Sequence, residues 1–301
     1  MNSNIDTFLK IGDSHKVCED YVLCGELPDC KKYLIVSDGC SGSENTEMGS
    51  RILSHTAKKF ILDYFGQKNA APFPKQSFMG TSIIHMSKLA ADMLYLDTEC
   101  LDATLIIGLL DPKQNWFRIY LYGDGVIVTR SEDGQIKIIE NEFSSVDGKI
   151  NNAPYYLSYQ LDARRMGLYH AMRMEQIIRT RVFKPDITES NQEYGQMRQI
   201  ADDAHQYAYD FLNPIILDQS TDKYKTILLC SDGFSSFIQP GDNGMEPSNP
   251  LITAQEFTAF KNIRGEFLKR RVKRALRDLE QTYGSSHYDD LSVAGITFFE
   301  E

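Results

Sequence analysis

Residues 33–43 read YLIVSDGCSGS and residues 226–236 read TILLCSDGFSS. Each is an apolar run of strand length that stops on Ser-Asp-Gly and continues into small polar residues. An aspartate directly after a buried strand stands at the end of its sheet. The glycine behind it lets the backbone turn sharply and come close to a ligand. Two such endings predict that Asp38 and Asp232 converge at one sheet edge. Asp-Gly also occurs at 133–134 and 147–148, where an ordinary turn accounts for it.

The pattern around these endings alternates strands and helices. YVLCGEL (21–27) and KKYLIVS (31–37) predict two strands joined by a short Pro-Asp turn. Residues 44–65 predict a helix, with Met48, Ile52, Ala57, Phe60, Ile61 and Tyr64 at helical spacing. APFP breaks the chain, and 75–96 predict a second amphipathic helix. Strand-like runs follow at 103–110, 116–122, 126–130 and 135–140, and their short connections make the meander antiparallel. From about 141 to 195 the pattern weakens into a Tyr- and Arg-rich stretch that predicts a loop-rich, flap-like excursion. A helix at 196–212, a buried strand at 225–231, a helix at 265–281 and a strand at 291–299 complete the reading. No repeat, low-complexity tract or linker interrupts it. The expectation is one α+β domain over residues 1–301, layered as a sandwich.

Composition narrows the function classes. The chain of 301 residues carries a formal net charge of −10. An acidic chain has no general attraction to nucleic acid or anionic lipid, so neither is expected as a partner. The longest apolar runs, such as ATLIIGLL (103–110), reach about half a membrane span. The N-terminal residues MNSNIDTFLK lack a basic segment followed by an apolar core, so no secretory signal is read there. The six cysteines are scattered with no C-x-x-C pair. They predict reduced thiols and a cytoplasmic location.

Further acids flank strands as Asp38 and Asp232 do. Glu19 and Asp20 precede the first strand in SHKVCEDYVL, Asp124 sits in the turn YGDGV, and Asp289 and Asp290 precede the last strand in SHYDDLSVAG. If these ends meet, the carboxylates of one cleft repel one another and shift each other's pKa. A hard divalent cation resolves the conflict, because Mg²⁺ and Mn²⁺ favour carboxylate, carbonyl and water ligands. Two such ions about 3.5–4 Å apart can activate a water and hold a phosphoryl oxygen.

The order CEDYVL, IVSDGCSGS before a helix, DATLIIGLL, YGDGVIV, LLCSDGF and YDDLSVAGI resembles the metal-dependent serine/threonine phosphatases of the protein phosphatase 2C family. The likeness spans about residues 12–298, and GDSHKVCED is most similar to a bacterial branch. The resemblance implies a four-layer α-β-β-α sandwich with two mainly antiparallel sheets. It implies that Asp38 bridges two ions, Mg²⁺ or Mn²⁺, and that the Gly39 carbonyl binds one of them. Asp232 and Asp289 would hold the first ion. Glu19 would help hold the second with Asp20 in support, and Asp124 would serve a third, weaker ion together with Asp232. Asp290 stands where the family usually has Asn and would support the ligands from behind. The implied reaction is attack of a metal-bridging hydroxide on a phosphoserine or phosphothreonine ester. The implied partners are a phosphoprotein substrate and a cognate Ser/Thr kinase.

Two positions depart from the family. His15 stands where many members carry a phosphate-gripping Arg; it can hydrogen-bond phosphate without a permanent bidentate clamp, and Lys16 is a substitute. Cys40 stands where animal members often have a proton-donating His. In the excursion, Arg164 and Arg165 are candidates to meet a phosphopeptide, against a reading as solvated arginines. The basic run from Lys269 to Arg277 reads as a solvated helix face. Two other functions compete: a catalytically weak, phosphatase-like regulatory module, and another two-metal hydrolase such as a nuclease.

Overall fold

The computed structural model describes residues 2–67, 73–150, 152–185, 197–208, 214–241 and 244–300. In chain order the elements are β1 (Asn2–Lys10), β2 (Tyr21–Glu26), β3 (Lys32–Ser37), α1 (Thr46–Phe65), α2 (Gln76–Met93), β4 (Leu105–Asp111), β5 (Trp116–Tyr122), β6 (Gly125–Ser131) and β7 (Ile136–Ser145). Then come α3 (Ala163–Ala171), β8 (Met174–Pro185), β9 (Met197–Ala208), β10 (Ile215–Asp218), α4 (Gln219–Asp222) and β11 (Tyr224–Cys230). The chain ends with β12 (Phe237–Gly241), β13 (Gly244–Pro247), α5 (Pro250–Thr258), α6 (Phe267–Tyr283), β14 (Ser286–His287) and β15 (Leu291–Phe299).

Two antiparallel sheets carry the fold. One has seven strands in the order β1-β15-β11-β6-β7-β8-β9, and the other has five in the order β10-β5-β4-β3-β2. Strand alternation sorts side chains into three main cores, beside a small fourth cluster of Phe143, Tyr169 and Met174. From β3, Leu34 and Val36 pack between the sheets against Ile127, Ile227, Leu229 and Ile296. Their neighbours Tyr33 and Ile35 face the opposite way, toward α1 and α2, with Ile52, Leu53, Met79 and Ile83. On the far side, Val126, Val128, Leu228 and Cys230 meet Phe257 of α5 and Leu268, Val272 and Leu279 of α6. The four layers are therefore helix, sheet, sheet, helix, as the resemblance implies. No described helix is long and apolar enough to cross a membrane.

The expected helix at 196–212 is not formed: residues 197–208 are β9, paired antiparallel with β8, and 209–212 lie outside the described residues. Gln, Met, Arg and Ala have good helix propensity, but a paired partner strand outweighs so weak a preference. The stretch 141–195 is also more regular than expected. It holds the end of β7, a 3-10 turn at Leu157–Leu161, α3 and β8, with 186–195 outside the described residues. The structure adds β1, which pairs along its whole length with β15, and α5. Of the basic run on α6, Arg271 is buried and pairs with Glu256 instead of facing solvent.

Close backbone approach sets how α1 lies. A Cβ on Gly49 would stand 1.6 Å from the carbonyl oxygen of Cys100, in the 3-10 turn Thr98–Leu101. Since that obstacle is backbone, Gly49→Ala should destabilise the protein by about 1–3 kcal/mol, typical of overpacking. A urea midpoint equal to that of the wild type would contradict this packing.

Candidate metal centre

The strand ends predicted to meet do so. β2 and β3 pair with Tyr21 opposite Ser37, so Glu19 and Asp20 enter beside the point where Asp38 leaves. β11 and β15 pair with Cys230 opposite Val293, so Asp289 and Asp290 lie beside Asp232. Asp124 sits in the crossover from β5 to β6, which links the two sheets. That tight turn is made by Gly123 and Gly125, at φ of 96° and 141°.

Both Ser-Asp-Gly endings have the same steric cause. A Cβ on Gly39 would stand 3.0 Å from the Glu19 carbonyl oxygen and 2.9 Å from that of Thr46. A Cβ on Gly233 would stand 1.8 Å from the Asp290 carbonyl oxygen. In each sheet, the backbone of the acidic pair entering the neighbouring strand lies directly over the glycine. Only glycine lets that chain come so close.

Asp38 is held through its backbone: its N–H donates to Thr104 Oγ1 at 3.2 Å and its carbonyl accepts from Thr104 N–H at 2.8 Å. Burial raises its carboxyl well above the usual range, and the charges of Asp20, Asp232 and Asp124 add to the rise. Asp124, 7% exposed, is raised well above the range by burial and then by Asp232, Asp289 and Asp20. Burial and the Asp232 charge also raise Asp289. Asp20 is wholly buried, and neither of its carboxylate oxygens has a hydrogen-bond partner. Ser231 and Ser292 are neighbours, yet the Ser292 hydroxyl is itself unpartnered. Burial lifts Asp20 to about 7. Glu19 is raised by burial, and its Oε1 accepts from Thr46 Oγ1 at 3.0 Å. A cavity of about 360 Å³ opens on this ground, lined by Asp124, Asp232 and Asp289 with Glu140, Asn141 and Ser235 among others.

Asp290 braces the entry loop. Its Oδ1 accepts from Gly12 N–H at 2.8 Å and its Oδ2 from Glu19 N–H at 2.6 Å. His15 does not stand free: its Nε2 is 3.4 Å from Asp289 and its Nδ1 3.2 Å from Asp290. Burial pulls its pKa down, but Asp290, Asp289 and Glu19 together outweigh that and leave it raised. Lys16 is exposed, with no ion pair to any described acid. Tyr156, which sequence reasoning missed, is drawn in by the excursion. Its buried hydroxyl is pushed far up by burial, by the neighbouring Cys40, and by Asp124 and Asp38. No sequence signal distinguishes it from the other tyrosines of that stretch.

The family model of protein phosphatase 2C matches residues 11–278, most of the chain and all but Asp289 and Asp290 of the acids above. The chain belongs to the protein phosphatase 2C family. Members of this family are metal-dependent serine/threonine phosphatases, and the chain is a serine/threonine phosphatase. Among solved structures, a bacterial serine phosphatase is 12% identical with a TM-score of 0.51, covering 100% of this chain and 99% of its own. A point variant of it is 14% identical with a TM-score of 0.52, covering 99% and 98%. The phosphatase PstP of Mycobacterium tuberculosis is 13% identical with a TM-score of 0.48, covering 99% of each chain. At these identities the first two establish the shared fold. No curated protein matches the sequence.

Among the described residues, no three His, Cys, Asp or Glu side chains are drawn into a finished metal-binding group. The donor set nonetheless fits a hard cation. It is all oxygen, it includes the two unpartnered oxygens of wholly buried Asp20, and Gly39 keeps its backbone clear of a Cβ.

This arrangement sets a pH dependence. Between 3.8 and about 7 the folded protein keeps a proton on Asp20 that the unfolded chain gives up. Stability of the metal-free phosphatase should therefore fall as pH rises through that window, with Asp38 and Asp124, raised in the same direction, adding to the fall. Urea unfolding of chelator-treated protein from about pH 5 to about pH 8 should show the fall, and Asp20→Asn should make it shallower, with the raised Asp38 and Asp124 carrying the remainder. A wild-type curve that rises over this range would contradict the reading.

Proposed function

We propose that this phosphatase hydrolyses phosphoserine and phosphothreonine esters on proteins at the carboxylate centre, using two divalent ions, Mg²⁺ or Mn²⁺. The observation that carries the reading is the convergence of Asp20, Asp38, Asp124, Asp232 and Asp289 on one site at the meeting of the two sheets. Asp38, the Gly39 carbonyl, Asp232 and Asp289 would hold the ions, with Glu19 and Asp20 on the side of β2. Asp124 and Asp232 would share a third, weaker one. Bound there, the ions would supply Lewis acidity and an activated water.

The chain's own residues do the rest. Asp290 fixes the entry loop that carries Glu19 and His15. The Tyr156 phenol, kept protonated beside Cys40, can donate a hydrogen bond into the site where family members with His offer a proton. The cavity admits a phosphorylated side chain, so the partner would be a phosphoprotein, with a Ser/Thr kinase acting in opposition. A cytoplasmic location, without nucleic-acid or membrane partners, agrees with the acidic charge.

A second reading, a regulatory module of low turnover, draws on one observation. His15, the residue expected to grip phosphate, is already engaged by Asp289 and Asp290. The two readings separate in one assay. With Mn²⁺, the enzyme should release phosphate from a phosphothreonine peptide, and Asp38→Asn should lower kcat by about a hundred- to a thousandfold. Tyr156→Phe should cost about tenfold in kcat, as loss of one hydrogen bond does, with Mn²⁺ affinity unchanged. Tight phosphopeptide binding without release by the wild type would establish the regulatory module instead.

A further inference from the structure

A second buried acid lies just outside the carboxylate centre. Asp102 is 3% exposed and every contact of its carboxylate reaches a different segment. Its Oδ1 accepts from Ser158 Oγ at 2.6 Å, and its Oδ2 accepts from Ser43 Oγ at 2.8 Å. The Oδ2 atom also pairs with Arg165 Nη2 at 2.5 Å. Ser43 belongs to the loop that follows Asp38 and Gly39. Ser158 and Arg165 come from the excursion, in its 3-10 turn and in α3.

The backbone at Asp102 holds the same loop. Its carbonyl accepts from Cys40 N–H at 2.8 Å, Ala103 bridges to Gly39, and Thr104 exchanges two hydrogen bonds with Asp38. Residues 102–104 thus form a strap along Asp38, Gly39 and Cys40. The strap's only buried charge is neutralised from the excursion. The Arg165 guanidinium is itself fixed, lying 4.6 Å over the Tyr159 ring, and its backbone N–H is capped by Asp162 at 3.2 Å. It is therefore spent on Asp102 and not free for a phosphopeptide, whereas Arg164 is exposed.

We propose that Arg165 is a positioning residue for the metal-holding turn: by pairing with buried Asp102 it clasps the excursion onto the 102–104 strap, and through that strap it sets Asp38 and Gly39. This rests on the reading of Asp38 as a metal ligand. Removing the cation alone would leave a carboxylate buried with only two hydroxyls, which is far costlier than removing both charges. Because Arg165 Nη1 has no partner, the pair is one-armed, and a lysine can restore part of it.

The test compares wild type, Arg165→Met, Arg165→Lys, Asp102→Asn and the Met/Asn double variant. Each is measured by calorimetric Mn²⁺ titration and by hydrogen exchange at the Cys40 and Thr104 amides. Arg165→Met should weaken Mn²⁺ binding by about 10- to 100-fold, the usual cost of losing an outer support of metal ligands. It should speed exchange at Cys40 and Thr104 while β11 and β15 keep their protection. Arg165→Lys should recover part of the loss. Adding Asp102→Asn should recover most of it, since the amide oxygen still accepts from one serine hydroxyl, its NH₂ can donate to the oxygen of the other, and no unpaired charge is left. If Arg165→Met fails to fold, Arg165→Lys and the double variant carry the comparison.

Mn²⁺ affinity within about twofold of wild type in Arg165→Met, or a double variant no better than Arg165→Met, would overturn the proposal. So would faster exchange spread evenly over the whole fold. A wild type that binds Mn²⁺ but releases no phosphate would sink the proposed reaction and leave this comparison intact. If the wild type binds no Mn²⁺, the exchange rates at Cys40 and Thr104 still decide whether Arg165 holds the turn.

Discussion

Carboxylates pressed together out of water oppose folding, and the rest of this structure is arranged around that opposition. Asp20, Asp38 and Asp124 all have raised pKa values, first from burial and then from one another's charge or that of Asp232. No described Lys or Arg pairs with them in the way Arg165 pairs with Asp102. A protein that only had to be stable would gain by placing a cation or an apolar residue there. That it holds oxygen donors instead, with both oxygens of Asp20 unpartnered, fits the proposed divalent-cation site.

The two sheets solve the same local problem in the same way. Each ends a buried strand in Ser-Asp-Gly, and each lays the backbone of an acidic pair across the glycine, Glu19 over Gly39 and Asp290 over Gly233. The sandwich then brings these two corners together, and Asp124 bridges them from the β5–β6 crossover. The repeated motif is thus a matter of packing as well as chemistry: the aspartate supplies a carboxylate at the sheet's end, and the glycine admits the chain that carries the next acid.

How much of this was legible depended on the range of the interaction that decides each feature. β3, β5, β11 and β15 announce themselves by apolar runs bounded by turns, and the acids at their ends by position. β9 reads as a helix from sequence because its residues favour helix locally, whereas its pairing with β8 is a tertiary choice. β1 is a mostly half-buried edge strand with little apolar signal, defined by β15. Within the centre, the ligand candidates were readable from order and context. The engagement of His15 by Asp289 and Asp290 depends on the loop before β2 packing against the start of β15, and the approach of Tyr156 and the Arg165–Asp102 clasp depend on where the excursion folds, which no spacing in 141–195 encodes.

The central claim is that the carboxylates form one metal centre, and anomalous diffraction from crystals grown with Mn²⁺ tests it most directly. The account predicts peaks at the manganese edge among Asp38, Asp232 and Asp289, with the Gly39 carbonyl as a ligand. A map with no peak there, or with manganese only at other surface acids, would contradict it.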